Sequence, residues 1–272
     1  MSDLQDFYDA KSALEWQYEI GVDETISDLP INRYEIQNIP PKLKISAKSN
    51  IAHVAVMPDM LSSKETASSV AKMLAEKCNN LSELRDAMGL FEMCSLKKGA
   101  KKLVFSDGLS KSRVMVIGES PSREEDIEGK PFVGTEGELV DKMFQAIGLS
   151  RDSNEPNEAI YITTAIPWRP PQSRDPNSDE IAMMLPFLKR HIELVNPDFI
   201  VLMGNIACSA VLNKVGINKF RGEWTEAFGK QILPMLHPRS LLKDPMRKRD
   251  TWNDLLSLKE RLKLLLIENL FL

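Results

Sequence analysis

Glu119 is the side chain in this sequence best placed to handle a proton. It stands in GESPSREED (118–126), where the apolar run RVMVIG (113–118) breaks into a small-residue, acid-rich loop. A carboxylate at such a turn can face a cleft and position or deprotonate a water, and Gly118 and Gly134 leave room for a ligand to approach the backbone. Taken alone, the stretch reads equally well as a strand-to-helix turn with a solvated acidic face. PFVG, at 131–134, puts Phe132 on a loop near Glu119, where its ring can fill a core or stack on a flat heterocycle. His237, one of three histidines, precedes a proline at the end of the run QILPML and lies beside Arg239, Lys243, Arg247, Lys248 and Arg249. That setting favours a functional imidazole, whereas His53 and His191 lack it and read as structural or surface residues. WRPPQSRDP (168–176) is a rigid loop whose Arg169 and Arg174 either cap it or anchor a phosphate or carboxylate.

These side chains need elements to hold them. From Arg113 onward short apolar runs (113–118, 159–165, 199–204 and 231–236) alternate with helical stretches over 135–148, 178–195, 205–215 and from Met246 onward. Strand and helix in alternation predict an α/β protein, a three-layer α/β/α architecture with a central, mainly parallel four-stranded sheet. The candidate residues all follow strand ends, where ligands of such sheets bind. Upstream, the pattern predicts helices over 62–77 and from 81 to about 93. Residues 1–60 read as a helix over 4–21 followed by a proline-containing linker, so the α/β domain is expected over 61–272.

Composition limits the rest. In 272 residues, 43% are hydrophobic and the net charge is −4, which argues against coating nucleic acid by bulk charge but not against a local basic patch. No apolar run approaches the roughly 20 residues that span a bilayer, so a cytoplasmic protein with no membrane partner is expected. Three scattered cysteines do not make a disulfide framework. There is no GxxxxGK[ST] and no metal-type His/Asp/Glu cluster, which disfavours NTPase and metallohydrolase chemistry.

Read in order, these stretches resemble the uracil-DNA glycosylase superfamily, most closely its iron-sulfur-type (family 4) branch. The family pattern runs GE-small-PG with acids, PFVG-x-small-G, YITN, CRPP-x-NR-x-P and HP-small-x-LL. This chain has GESPSREED, PFVGTEG, YITT, WRPPQSRDP, RGEW and HPRSLL, over about Leu81 to Leu265. The resemblance implies a base-flipping enzyme that hydrolyses the N-glycosidic bond of uracil or a related deaminated base in DNA. It implies that Glu119 orients the water, that His237 donates a hydrogen bond to the leaving base and that Phe132 stacks on it. Gly118, Asp126, Thr164 and Ser173 would line the base site. Arg169, Arg174, Arg239, Ser240 and Lys243 would meet DNA, with Leu241 or Leu242 as an apolar wedge. The expected partner is uracil-containing DNA, bound by a monomer.

The departures are as informative as the matches. The four cluster-ligand positions carry Phe91, Cys94, Trp168 and Met184, so the expectation is no iron-sulfur cluster and an apolar filling around Cys94. The asparagine of YITN is Thr164, that of x-NR is Ser173, a glycine is Ser122, and the small residue before Gly137 is Glu136. Thr164 and Ser173 keep open a second reading, a silent DNA-binding homologue. A third, an unrelated α/β hydrolase acting on a metabolite, would need a closed pocket without a basic rim.

Overall fold

The computed structural model describes residues 64–268; the helix expected over 4–21, the linker after it and His53 lie outside the described residues. Four five- or six-residue runs form the parallel centre of the sheet: β2 (Val114–Gly118), β3 (Ile160–Thr164), β4 (Phe199–Met203) and β6 (Lys230–Met235). They are almost continuously apolar because helices cover both faces. Two three-residue strands, β1 (Ser106–Gly108) and β5 (Thr225–Ala227), add antiparallel edges, giving six strands in the order β1-β3-β2-β4-β6-β5. They are too short to show an alternation in sequence, which is why four strands were expected. Pro234 sits in β6 without breaking it: β5 pairs only with Lys230 to Ile232, so no neighbour on that side needs its missing N–H.

Pleat parity sorts the side chains into two cores. Met115, Ile117, Tyr161, Ile200, Leu202 and Ile232 face one, beneath the helices α1 (Lys64–Glu76), α2 (Leu81–Leu90), α5 (Ser178–Val195) and α6 (Asn205–Leu212). Val114, Val116, Ile160, Ile162, Val201, Leu233 and Met235 face the other, beneath α4 (Gly134–Gln145) and α8 (Lys248–Glu268). Two short helices, α3 (Arg123–Glu128) and α7 (Pro238–Lys243), follow the ends of β2 and β6. Phe91, Cys94, Trp168 and Met184 are all buried in the first core, where Phe91 meets Phe187 edge-on with ring centroids 5.3 Å apart. RGEW ties β5 to α8. Arg221 binds Asp254, Trp224 Nε1 donates to Ser257 Oγ at 2.8 Å, and Arg261 stacks on the indole at 4.2 Å. No described helix is long and apolar enough to cross a membrane.

Connections from β2 lead to β3 on one side, and those from β4 to β6 on the other. The crevice between the carboxyl ends of β2 and β4 is therefore the switch point of the sheet, the place where open α/β sheets bind ligands. Phe144, fully buried on α4, anchors the second core beneath it. Phe144→Ala should lower stability by about 3–5 kcal/mol, measured as a shift in the urea unfolding midpoint at constant slope.

Candidate active site

Glu119 leaves β2 at the switch point and reaches across it. Its Oε1 accepts a hydrogen bond from the Ile206 N–H in the first turn of α6, at 3.1 Å. Gly204, with φ +99°, makes this possible: a Cβ there would lie 2.3 Å from Glu119 Oε1. Burial pushes the Glu119 carboxyl above its ordinary range, partly offset by the Ile206 N–H and by Arg239. A cleft of about 270 Å³ opens over it, lined also by Ser122, Pro170, Ser173, Arg174 and Arg239.

His237 faces the same strand ends from the other core. The alternation that points Leu233 and Met235 into the second core carries His237 onto that side. Its imidazole is buried and lies 5.5 Å, centroid to centroid, from the Phe132 ring. Nδ1 accepts the Arg239 backbone N–H at 3.2 Å, which caps α7. With Nδ1 used as an acceptor, the proton of the neutral ring resides on Nε2, which is left as a donor. Burial, aided by Arg239, pushes the His237 pKa down to about 3, so the ring stays neutral at ordinary pH.

Phe132 is held by backbone contacts more than by its ring. Its φ of +48° places a non-glycine residue in the left-handed region. Glu125 accepts its N–H and, with the other oxygen, the Ser122 N–H at 2.5 Å. Arg151 donates to the Phe132 carbonyl and to the Pro131 carbonyl, each at 3.1 Å, while binding Asp141 and Asp107. The ring rests on Gly118, where a Cβ would come within 2.8 Å of it. Gly118 thus makes room for the aromatic ring. Ser122, a departure from the family glycine, has its own use: it caps α3 in a reciprocal pair with Glu125.

Thr164 ends β3 beside Gly118. It is buried, and its Oγ1 has no hydrogen-bond partner, whereas the preceding Thr163 donates to the Phe105 carbonyl at 2.7 Å. Strand parity puts Thr164 on the Phe132 side and Thr163 on the other. Ser173 is exposed, with φ +54°, and accepts from Arg169 at 2.9 Å.

Several expected site residues are placed differently. Asp126 is buried and accepts the backbone N–H groups of Lys101 and Lys102, so it pins that loop. Gly134 makes room for Glu124, whose Oε2 would lie 1.8 Å from an added Cβ. Arg174 gives its fork to Glu180 at 2.7 and 2.9 Å, tying its loop to the first turn of α5. Of the two leucines expected as a wedge, Leu241 is fully buried in the first core and Leu242 is 43% exposed. Arg239 and Lys243 are exposed and Ser240 is half-buried on the same short helix. His191 is structural, as expected, bonded to Tyr161 Oη at 2.8 Å and stacked on Phe105. Sequence reasoning missed Glu125 and Arg151 as supports of Phe132. It also missed the role of Glu136, which binds Arg239 Nε at 2.8 Å and ties the PFVG helix to the HPRS helix. Only the first of these had a signal, the S-x-x-E spacing of a capping box.

The cluster-ligand positions do not fit an iron-sulfur cluster. Such a cluster is held by four thiolates, and here those positions supply one thiol, Cys94, buried in the first core with its pKa raised by that burial, the other three being the apolar Phe91, Trp168 and Met184. Among the described residues no group of three or more His, Cys, Asp or Glu could hold a metal ion.

The chain matches the family model of the Uracil DNA glycosylase superfamily over residues 105–256. It belongs to that superfamily. Its relatives include the type-4 uracil-DNA glycosylase of Saccharolobus solfataricus, 37% identical over 194 residues that cover 68% of this chain and 87% of the relative. The type-4 uracil-DNA glycosylase of Thermotoga maritima is 36% identical over 156 residues, covering 56% of this chain and 77% of the relative. That of Archaeoglobus fulgidus is 32% identical over 170 residues, 59% and 82% respectively.

The aromatic wall offers a direct check. A Cβ at Gly137 would sit 2.0 Å from the Phe132 carbonyl oxygen. Gly137→Ala should therefore destabilise the fold by about 1–3 kcal/mol through forced displacement of the PFVG turn. Thermal unfolding compared with Gly89→Ala, where an added Cβ meets nothing within 4 Å, isolates that effect.

Proposed function

We propose that this protein is a uracil-DNA glycosylase, hydrolysing the N-glycosidic bond of uracil or a related deaminated base in DNA after flipping the nucleotide from the stack. The observation that carries the reading is His237: a buried imidazole beside an aromatic ring whose Nδ1 accepts a backbone N–H, which puts the proton of the neutral ring on Nε2. A neutral donor suits a leaving group that departs as an anion, because it stabilises developing charge without needing to transfer its proton. Support also comes from relatives named type-4 uracil-DNA glycosylases.

In this mechanism the bond between the base and C1′ breaks with its electron pair leaving on the base. The Nε2–H of His237 donates to a carbonyl oxygen of the base as its charge grows, and Phe132 forms the aromatic wall. Glu119 orients a water whose oxygen attacks C1′ while its proton passes to the carboxylate. The products are a hydroxyl at C1′ and a base anion that takes a proton from solvent. Arg239 and Lys243 meet phosphates, Leu242 fills the gap in the duplex, and Arg169 and Ser173 border the cleft. We assign the activity to the α/β domain over 61–272 and read the protein as a cytoplasmic monomer that carries no iron-sulfur cluster.

On a uracil-containing oligonucleotide, Glu119→Gln and His237→Ala should each lower single-turnover excision about 10²–10³-fold with DNA affinity retained. Absence of any abasic product from the unaltered protein at enzyme excess defeats the reading. Glu119 must be ionised to take the proton, and its pKa is raised. Excision should therefore decline with falling pH through a value above the ordinary carboxylate range, seen in the pH dependence of single-turnover rates. The protonated form of Glu119 is the one the fold favours, so ionisation weakens the fold as pH rises. Glu119→Gln should then keep or raise the neutral-pH melting temperature. Protein purified without oxygen should contain no stoichiometric iron or inorganic sulfide by elemental and colorimetric analysis.

A further inference from the structure

Glu136 and Arg239 hold each other across the two turns that carry Phe132 and His237. The family pattern has a small residue at both places, in PFVG-x-small-G and in HP-small-x-LL, and this chain has a carboxylate at one and a guanidinium at the other. Arg239 Nε donates to Glu136 Oε1 at 2.8 Å and a second guanidinium nitrogen donates to Oε2 at 3.5 Å, so the fork engages both oxygens of a residue 103 positions away in the chain. Glu136 lies in the first turn of α4 and Arg239 in that of α7, and Glu136 Oε2 is 3.9 Å from His237 Nδ1. Arg239 also lines the cleft over Glu119.

A second arginine of the same cleft supplies the contrast. Glu180, which holds Arg174, has a side chain only 7% exposed and also accepts the Asn177 N–H, so that carboxylate is committed from two sides. The side chains of Arg239 and Glu136 are 46% and 21% exposed, and among the described residues the hydrogen bonds of the Glu136 carboxylate come from Arg239 alone. An ion pair within reach of solvent is held weakly and exchanges with other anions. Carboxylate and phosphate present a guanidinium with the same two-oxygen edge.

We propose that Glu136 is a positioning residue that stands in for a DNA phosphate: it holds Arg239 while no DNA is bound and gives it up when a backbone phosphate arrives. The inference rests on the glycosylase reading, in which Arg239 meets a phosphate. Each binding event then trades one ion pair for another and leaves a carboxylate facing the polyanion. Both effects oppose binding, and they do so alike on every sequence, because a phosphate contact carries no sequence information. The pair thus keeps the guanidinium placed at the cleft in the free protein while loosening the grip on DNA that holds no substrate base or has already lost it.

Fluorescence anisotropy of a labelled, uracil-free duplex titrated with the full-length protein tests this without relying on catalysis. Glu136→Gln keeps the shape and removes the charge. It should bind the duplex about three- to tenfold more tightly at low salt, and log affinity should fall with log salt more steeply by about 0.9, the contribution of one further neutralised phosphate. Arg239→Ala should bind more weakly than the unaltered protein, and adding Glu136→Gln to it should recover only about twofold or less, because the guanidinium to be released is gone. A carboxylate that only tied the two helices together would, when removed, lower the melting temperature and leave affinity and salt slope where they were. That result, or an equal gain in the Arg239→Ala background, which marks general charge repulsion, overturns the proposal. Excision of uracil assayed on the same preparations keeps the two readings apart. The affinity gain without abasic product sinks the glycosylase assignment alone, and abasic product without the gain sinks this inference alone.

Discussion

The register of the parallel strands governs where every functional side chain points. Gly118 lies beside Thr164, Ile117 beside Leu202, and Met203 beside Met235. Because side chains alternate across a strand, a slip of one residue would exchange the two cores and turn the site inside out. The same alternation divides the chemistry. Glu119 continues the face of Met115 and Ile117 and meets α6, whereas Gly118, Thr164 and His237 continue the opposite face and meet Phe132. The strand-end crevice is thus approached by the Glu119 carboxylate from one layer and by Thr164, His237 and Phe132 from the other. Neither group depends on a long or mobile loop.

Loops that cross this crevice are held by charged side chains bonded to backbone. Glu125 joins the turn after β2 to the backbone of Phe132, and Arg151 grips the carbonyls on either side of the Pro131–Phe132 peptide. Glu136 then bridges to Arg239, whose own N–H fixes His237. Buried carboxylates and guanidiniums are costly unless fully bonded, and here the bonding partners are peptide groups that the turns would otherwise leave unsatisfied. The left-handed φ of Phe132 persists because both its N–H and its C=O are committed.

The fold was legible in sequence because apolar runs of five or six residues separated by capped helices admit few other arrangements. The helix over 178–195 matched residue for residue, fixed by Asn177 with Glu180 at one end and Asn196 at the other. What escaped was short: β1 and β5 at three residues each, and α3, whose acids looked like a solvated run until Glu125 and Asp126 proved buried. The candidate site was legible by residue type at Glu119, Phe132 and His237. Direction was not. HPRSLL contains two adjacent leucines that sequence treats alike, and only the packing of α7 buries Leu241 and exposes Leu242. Arg174, which the sequence offered as either a loop cap or an anion anchor, binds Glu180 with both arms of its fork, a partner six residues ahead in the first turn of α5.

Burial acts in opposite senses on the two groups best placed for chemistry. It holds the imidazole of His237 neutral and raises the carboxyl of Glu119, in each case by disfavouring the charged form. The consequences differ because the tasks differ. A donor to a departing anion is improved by remaining neutral, while a proton acceptor at a raised pKa is a stronger base once ionised, at the cost of a smaller ionised fraction. The surroundings of His237 come from the second core and the Phe132 ring, those of Glu119 from the strand end and α6 beside the first core. Where the family pattern places cluster ligands, Phe91, Cys94, Trp168 and Met184 are all buried in the first core. Rigid support behind the strand ends then rests on close packing of the cores and on the bonded loops.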